Sequence, residues 1–335
     1  MKETSFQRIN NVCLIIIAAA VIMMVLIYTK IVMIPLVVSL FIFSMMIPVR
    51  KFLKQKTKMP HILASIVSFL AFLGFFALVI IFITNSLGDF LRGTDVYQAK
   101  LIDSTSYLLT KLTEKGFSVN QENIINAMAN IPLLSMFSRI GTGLFSFVST
   151  SILVIVFVLF LIAGKESKRT QNKLILEIEN TISQYISIKL LISAATGLFA
   201  WIVLAYFNVE LAFMFAFLTF LLNFIPSIGS IIATALPLPV LFLQFGFGVD
   251  FFTVLFLLTG IQFTVGQIIE PKVMGYDLDL HPVTLLCCLI FWGLVWGVVG
   301  MFLAVPITAV IKFVLDKLPT TKAAAELMAG RLPRK

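Results

Sequence analysis

Long stretches without a charged residue constrain this chain more than any other feature of its sequence. Eight of them span at least 19 residues, and hydrophobic residues make up 60% of the 335-residue chain. They are Ile9–Thr29, Ile31–Val49, Met59–Gly88, Gly141–Ala163, Leu190–Val209, Leu211–Val249, Phe251–Ile269 and Pro282–Ile311. A helix needs about 20 apolar residues to cross the ~30 Å core of a bilayer. The pattern therefore predicts an all-α, polytopic transmembrane protein with about eight spans.

Helix-breaking residues interrupt this pattern near 223–230 and near 266–282. The run 211–249 is about twice the length that one span needs, and Pro226 lies in its middle, within the sequence NFIPSIGS. Proline removes a backbone donor and moves the preceding residue out of helical geometry. We expect broken or re-entrant helices in both regions. A tight cytoplasmic turn between two full spans is the alternative for 223–230, and the run Pro282–Ile311 is expected to form a hairpin or a broken pair.

The hydrophilic stretches between the apolar runs suggest a division of the chain into six parts. These are transmembrane spans 1–3 (1–84), an extracytoplasmic helical insert (85–139), span 4 (140–163), a cytoplasmic amphipathic helix (164–189), a transmembrane transport core (190–315) and a cytoplasmic basic tail (316–335). In the fourth part, Leu174, Ile178, Ile182 and Ile186 recur every four residues. This spacing is typical of an amphipathic helix on a membrane face.

The net charge of +9 is concentrated beside the predicted spans. Five Lys and Arg residues fall within 50–58, and five more fall within 317–335. Basic clusters of this kind mark cytoplasmic loops, so we expect both termini in the cytoplasm. No basic domain is available to bind nucleic acid. The sequence also offers no catalytic set, cofactor motif or metal-ligand spacing, and we expect neither an enzyme nor a bound cofactor.

Two small groups of ionisable residues lie near the second break. Pro271 predicts an extended or turned segment in which Glu270 and Lys272 would be neighbours, because residues i and i+2 share a side in extended chain. Glu270 is then the leading candidate for a proton- or cation-responsive coupling group. The alternative is a surface pair of little energetic value. Asp277, Asp279 and His281 alternate with leucines; they are candidate ion-responsive residues, although solvated loop residues are favoured over a metal site.

Three stretches resemble the autoinducer-2 exporter family of bacterial membrane proteins. They are the turn at 223–230, the segment GQIIEPKVMG at 266–275, and the step from His281-Pro282 through Trp292-Gly293 to Gly300 and Ala304-Val305-Pro306. The layout agrees over nearly the whole chain, including the hydrophilic insert. The resemblance implies transport through the bacterial inner membrane by a homo-oligomer, with a pentamer expected.

Autoinducer-2 is a small, hydroxyl-rich molecule, so its recognition needs hydrogen-bonding groups more than charge. Such groups cluster near the two breaks, and they define the expected transport route. The predicted route residues are Asn223, Pro226, Ser227, Gly229, Ser230, Gln262 and Gln267. The expected partners are therefore membrane lipids and a small polar solute or cation. Two rival functions stay open. The first is a sodium/proton antiporter, which is how some family members are described. The second is an oligomeric membrane scaffold that transports nothing and binds other proteins through 85–139.

Overall fold

The computed structural model describes residues 2–57, 59–92, 106, 110, 114, 151–164, 173–274, 280–317 and 321–331. Every regular element among these residues is helical. In chain order they are α1 (Lys2–Tyr28), α2 (Lys30–Thr57), α3 (His61–Arg92), α4 (Ser151–Ala163), α5 (Lys173–Tyr206), α6 (Ala212–Leu222), α7 (Ile228–Ala235), α8 (Leu238–Phe245), α9 (Val249–Phe263), a π-helical segment (Thr264–Ile269), α10 (Glu270–Met274), α11 (Pro282–Lys317) and α12 (Lys322–Met328).

The prediction of an all-α, polytopic membrane protein is confirmed. Within the described residues, six helical stretches are long and apolar enough to cross a bilayer. These are Lys30–Lys56, Ile62–Gly88, Thr181–Tyr206, Ile228–Phe245, Val249–Val273 and Pro282–Lys317. Three shorter apolar helices accompany them, at Ile16–Tyr28, Ser151–Ala163 and Ala212–Leu222.

The chain divides into two compact units. The first gathers the described residues of 1–47, 150–186 and 277–335, and the second gathers those of 48–149 and 187–276. In the second unit, apolar side chains of α3, α5, α6, α8 and α9 form a continuous buried core that includes Ile83, Leu204, Met214, Leu241 and Val254. Of these helices, α9 carries Gln262 and α6 ends immediately before Asn223.

The break predicted at 223–230 forms the turn of a helical hairpin in the second unit. Helix α6 has 11 residues and is therefore about 16 Å long, roughly half the bilayer core. Both ends of the hairpin lie at one end of the unit, because the Gln244 side chain bonds the turn that precedes α6. Its Nε2 donates to the Asn208 carbonyl at 3.3 Å, and its Oε1 accepts from the Glu210 N–H at 2.9 Å. The entering arm of the hairpin, α6, is shorter than a full span, whereas its returning arm, Ile228–Phe245, is long enough to cross the bilayer.

The final apolar run folds as the expected hairpin, in the first unit. Gly297 has φ 65° and ψ −145° inside α11, a conformation that essentially only glycine adopts. The chain doubles back there, because a side-chain carbon placed on Gly300 would overlap the carbonyl oxygen of Trp292. The indole Nε1 of Trp296 donates to the Leu26 carbonyl at 3.1 Å. This bond ties the hairpin turn to the C-terminal end of α1.

Two boundaries differ from those read in the sequence. Helix α3 continues to Arg92, past residue 84. Helix α5 runs without interruption from the amphipathic stretch into the fifth span, because no Gly or Pro separates the two. The location of its first part on the membrane face stays a prediction. Most of the insert at 85–139 lies outside the described residues.

Candidate functional site

A polar cluster in the second unit joins the two predicted breaks to one row of α5. Lys189 and Ser193 are four residues apart on this helix, so their side chains project from the same face. Ser193 lies near the middle of the candidate span, twelve residues after Thr181 and thirteen before Tyr206. Both side chains are buried. The row therefore places polar atoms at membrane depth.

The first break contacts this row through Asn223. The Nδ2 atom of Asn223 donates to Ser193 Oγ at 3.0 Å, and both side chains are buried. Asn223 follows the last residue of α6, whose half-length carries the break to the level of Ser193. Polar side chains within a membrane-spanning region are costly unless partnered. The Asn223–Ser193 bond meets that requirement and holds the hairpin tip against α5.

Three further residues shape the hairpin tip. Ser227 occupies the N-cap position of α7 with φ 60°, but its hydroxyl makes no capping hydrogen bond and its side chain is exposed. Gly229 is buried, and a side-chain carbon there would overlap the carbonyl oxygen of Leu222. Pro226 is half-buried beside them, so the tip is shaped by close backbone contact.

The second break contacts the same row of α5 through Glu270. The Lys189 ammonium forms an ion pair with Glu270 Oε1, and the two side chains are 1% and 20% exposed. The expected pairing of Glu270 with Lys272 is wrong, since Glu270 and Lys272 lie in one helix. Residues i and i+2 point to different sides of a helix, and Lys272 is exposed.

A π-helical turn explains how the chain stays helical through Pro271. Proline in a helix clashes with the carbonyl four residues before it and supplies no N–H. Here the segment Thr264–Ile269 is π-helical, and the Glu270 N–H donates to the Val265 carbonyl, five residues back. The wider turn accommodates the proline ring. The extended conformation predicted for 270–272 is therefore replaced by the π segment followed by α10.

The two breaks also approach each other directly. A side-chain carbon on Gly266 would lie 3.7 Å from Ser230 Oγ, which places the π segment beside the start of α7. Gln262, one turn before Gly266, is buried. Gln267 is exposed and stands apart from this contact. The structure thus brings the two breaks together: Asn223 and Glu270 contact one row of α5, and Ser230 lies beside the π segment that follows Gln262, whereas Gln267 and Lys272 are exposed.

His281 has a structural position at the start of α11, in the first unit. Its ring Nδ1 accepts from the Val283 N–H at 3.3 Å, and its backbone N–H donates to the Met328 carbonyl at 2.9 Å. It therefore caps α11 and binds the end of α12. Asp277 and Asp279 lie outside the described residues. Within the described parts, no three His, Cys, Asp or Glu side chains are grouped closely enough to hold a metal ion.

Lys189 and Ser193 were not among the predicted site residues. Lys189 is the single charge between Glu179 and Glu210, and a lone charge within a span is a recognised signal of function. The sequence pattern places it at the end of the predicted amphipathic helix, because the adjoining charge-free run begins at Leu190. Ser193 carries no comparable signal, since serine in an apolar helix is usually a packing residue.

Known proteins are similar to this chain over most of its length. Residues 14–320 match the model of the AI-2E family transporters. A "Putative transport protein" of Haemophilus influenzae is 31% identical over 89% of this chain and 90% of that protein. The "AI-2 transport protein TqsA" of Escherichia coli is 26% identical over 89% of each chain. A "Putative transport protein" of Borreliella burgdorferi is 38% identical over 46% of this chain and 42% of that protein.

The family match covers far more than half of the chain, and the relative from Haemophilus influenzae supports it independently. The family consists of transporters, so the protein is a multi-pass membrane transporter and not an enzyme. The chain belongs to the AI-2E family of transporters.

Proposed function

We propose that this transporter exports a small, neutral, hydroxyl-rich signal molecule of the autoinducer-2 type. The observation that carries the proposal is the set of polar groups at membrane depth, in which Asn223 bonds Ser193 and Ser230 lies beside the π segment, together with a charge-compensated ion pair. Such a cluster offers hydrogen-bonding groups with no net charge, which suits a polyol better than an ion. The similarity to an AI-2 transport protein agrees with this choice.

The proposed route passes between the hairpin tip at 223–227 and the π segment at 264–269. Irregular backbone at membrane depth is tolerated only where it packs against protein or lines a polar cavity. Broken helices near the bilayer midplane are also a recurrent device of secondary transporters. Glu270 is the proposed coupling group, with Lys189 as its partner in place of Lys272.

We further propose that the protein lies in the bacterial inner membrane as a homo-oligomer, with both termini in the cytoplasm. The basic stretches 50–58 and 317–335 support this orientation, because cytoplasmic loops are enriched in Lys and Arg.

The test is efflux from proteoliposomes loaded with autoinducer-2, with and without imposed sodium and pH gradients. The samples are the wild type, Glu270→Gln, Asp250→Asn and empty vesicles. Asp250 is an exposed carboxylate at the start of α9, so its variant controls for the loss of a negative charge. We expect wild-type and Asp250→Asn efflux above empty vesicles, and loss of any gradient dependence in Glu270→Gln.

Other outcomes separate the rival functions. Sodium-dependent collapse of a pH gradient without solute efflux would identify an antiporter, in which Glu270→Gln should be inactive. A scaffold would show neither response. Deletion of 93–139 leaves α3 intact. If the protein is a transporter, the deletion should leave efflux unchanged. If it is a scaffold that binds proteins through the insert, the deletion should abolish its cellular phenotype.

A further inference from the structure

Gln262 presents a buried acceptor that receives no hydrogen bond from the described part of the chain. Its side chain is 8% exposed, and its Oε1 atom has no donor there. Most buried polar side-chain atoms in proteins are hydrogen-bonded, and an exception calls for an explanation. A ligand that donates a hydrogen bond is one such explanation.

A second acceptor lies one turn further along the same helix. In the π segment, the Glu270 N–H donates to the carbonyl of Val265, five residues before it. The next donor in this pattern would be the N–H of Pro271, which proline lacks. The carbonyl of Gly266 therefore receives no donor from the π-helical pattern. Gln262 and Gly266 are four residues apart, so they lie on neighbouring turns of one face.

The space beside these acceptors is open on the side of Gly266. A side-chain carbon placed there would meet only one described atom within 4 Å, Ser230 Oγ at 3.7 Å. A serine hydroxyl both donates and accepts. The absent side chain of Gly266 thus leaves room for a small group between the π segment and α7, beside Ser230 Oγ.

Charge decides which kind of group fits this position. A monovalent cation would also seek oxygen ligands, but the nearest carboxylate on this helix, Glu270, is already paired with the Lys189 ammonium. The described cluster therefore offers no uncompensated negative charge to a cation. A neutral hydroxyl group supplies the missing donor without adding charge.

We propose that Gln262 Oε1 and the Gly266 carbonyl form an acceptor subsite for a hydroxyl group of the transported solute, with Ser230 alongside. Gln262 is then a specificity-determining residue that selects solutes carrying a hydroxyl donor. This assignment rests on the proposed function, because it names a part of the same polar cluster.

The first experiment compares Gln262→Leu with a matched control. Thr308→Val is suitable, because Thr308 Oγ1 is also buried without a partner among the described residues, but in the other unit. We expect Gln262→Leu to reduce autoinducer-2 efflux at least tenfold while its melting temperature stays equal to or above that of the wild type. Thr308→Val should leave efflux unchanged.

The second experiment does not depend on autoinducer-2. Thermal-shift measurements in detergent use pentose polyols and their fully O-methylated ethers, which keep the oxygen atoms but donate no hydrogen bond. The polyols should stabilise the wild type and Thr308→Val but not Gln262→Leu, and the ethers should stabilise none of them.

The outcomes distinguish this inference from the proposed function. Wild-type efflux that Gln262→Leu retains would overturn the subsite and leave the function standing. If the wild type shows no efflux, but polyols raise its melting temperature and fail to raise that of Gln262→Leu, the proposed function is overturned and the subsite stands. A large fall in the melting temperature of Gln262→Leu would show that Gln262 has a structural partner, which also overturns the subsite.

Discussion

At the scale of single residues, the Lys189–Glu270 ion pair is the most consequential contact of the polar cluster. Its members are unequally exposed, at 1% for Lys189 and 20% for Glu270. Removing one partner of a buried pair leaves the other charge uncompensated, and the cost depends on how deeply that charge is buried. The two single substitutions should therefore have unequal effects.

We expect Glu270→Gln to destabilise the protein by about 3 kcal/mol, because it strands the Lys189 ammonium in the interior. Lys189→Met should cost roughly half as much, since water can reach Glu270. The measurement is equilibrium unfolding in mixed micelles, with the double variant completing the cycle. Equal costs for the two singles, or strict additivity in the double, would contradict a coupled pair.

Glu210 is the residue whose stability contribution should depend on pH. It lies in the turn between α5 and α6, outside the spans, where burial raises the pKa of its carboxyl above its usual range. The folded state therefore binds more protons than the unfolded state between the two pKa values. The contribution of this carboxyl is full below its unfolded pKa of about 4.3 and is lost as the pH rises through the folded pKa.

We expect the wild type to lose thermal stability as the pH rises from about 4 through this window. Glu210→Gln should lose less, because its amide does not titrate. Melting temperatures of both proteins between pH 4 and pH 7 test this. A steeper fall in the variant than in the wild type would contradict the assignment.

At the scale of elements, two helical hairpins use the same packing device. In each, a glycine on the returning arm lies against a carbonyl of the entering arm: Gly229 against Leu222, and Gly300 against Trp292. The first hairpin turns at Ser227 and the second at Gly297, both with positive φ. Close backbone contact is therefore a requirement of both turns.

We expect Gly229→Ala to cost about 3 kcal/mol or more, because the added methyl group meets backbone and not a flexible side chain. Gly260→Ala is the matched control: it lies inside α9 with no atom within 4 Å of the new carbon. The control should gain up to about 1 kcal/mol from the higher helix propensity of alanine. Comparable melting temperatures for the two variants would refute the close contact at Gly229.

The sequence pattern predicts these elements better than it predicts the contacts between them. Charge-free runs and Pro226 reveal the helices and the first break, because hydrophobic length and proline act locally. Pro271 leads to a wrong prediction of extended chain, because local rules treat a proline as a helix end. Here the π-helical segment at 264–269 lets the chain stay helical through the proline. The partner of Glu270 lies 81 residues away, and only the tertiary fold selects Lys189 over the neighbouring Lys272.

At the scale of the whole molecule, the hairpin of α11 fixes the sidedness of the first unit. Trp296 ties its turn to the C-terminal end of α1, while His281 ties its beginning to α12. The returning arm of 20 residues, from Val298 to Lys317, is about 30 Å long and matches the bilayer core. The turn and the tail should therefore face opposite sides of the membrane.

Cysteine labelling tests this arrangement after Cys13, Cys287 and Cys288 are replaced by serine. We expect Thr29→Cys and Val298→Cys to react with an impermeant maleimide added outside intact cells. Lys322→Cys should react only after permeabilisation, which would place the tail in the cytoplasm. Labelling of 29 and 298 from opposite sides would contradict the bond between Trp296 and Leu26.

The ion pair between Lys189 and Glu270 has an electrical consequence. Moving one elementary charge through a potential of 100 mV changes its free energy by about 2.3 kcal/mol. A neutral solute and the compensated pair carry no net charge, so any dependence of wild-type flux on a membrane voltage clamped with potassium and valinomycin should come from the proton or sodium ion that Glu270 couples. Glu270→Gln leaves one positive charge and Lys189→Met leaves one negative charge. At the same clamped voltage, the flux of these two variants should therefore change in opposite directions.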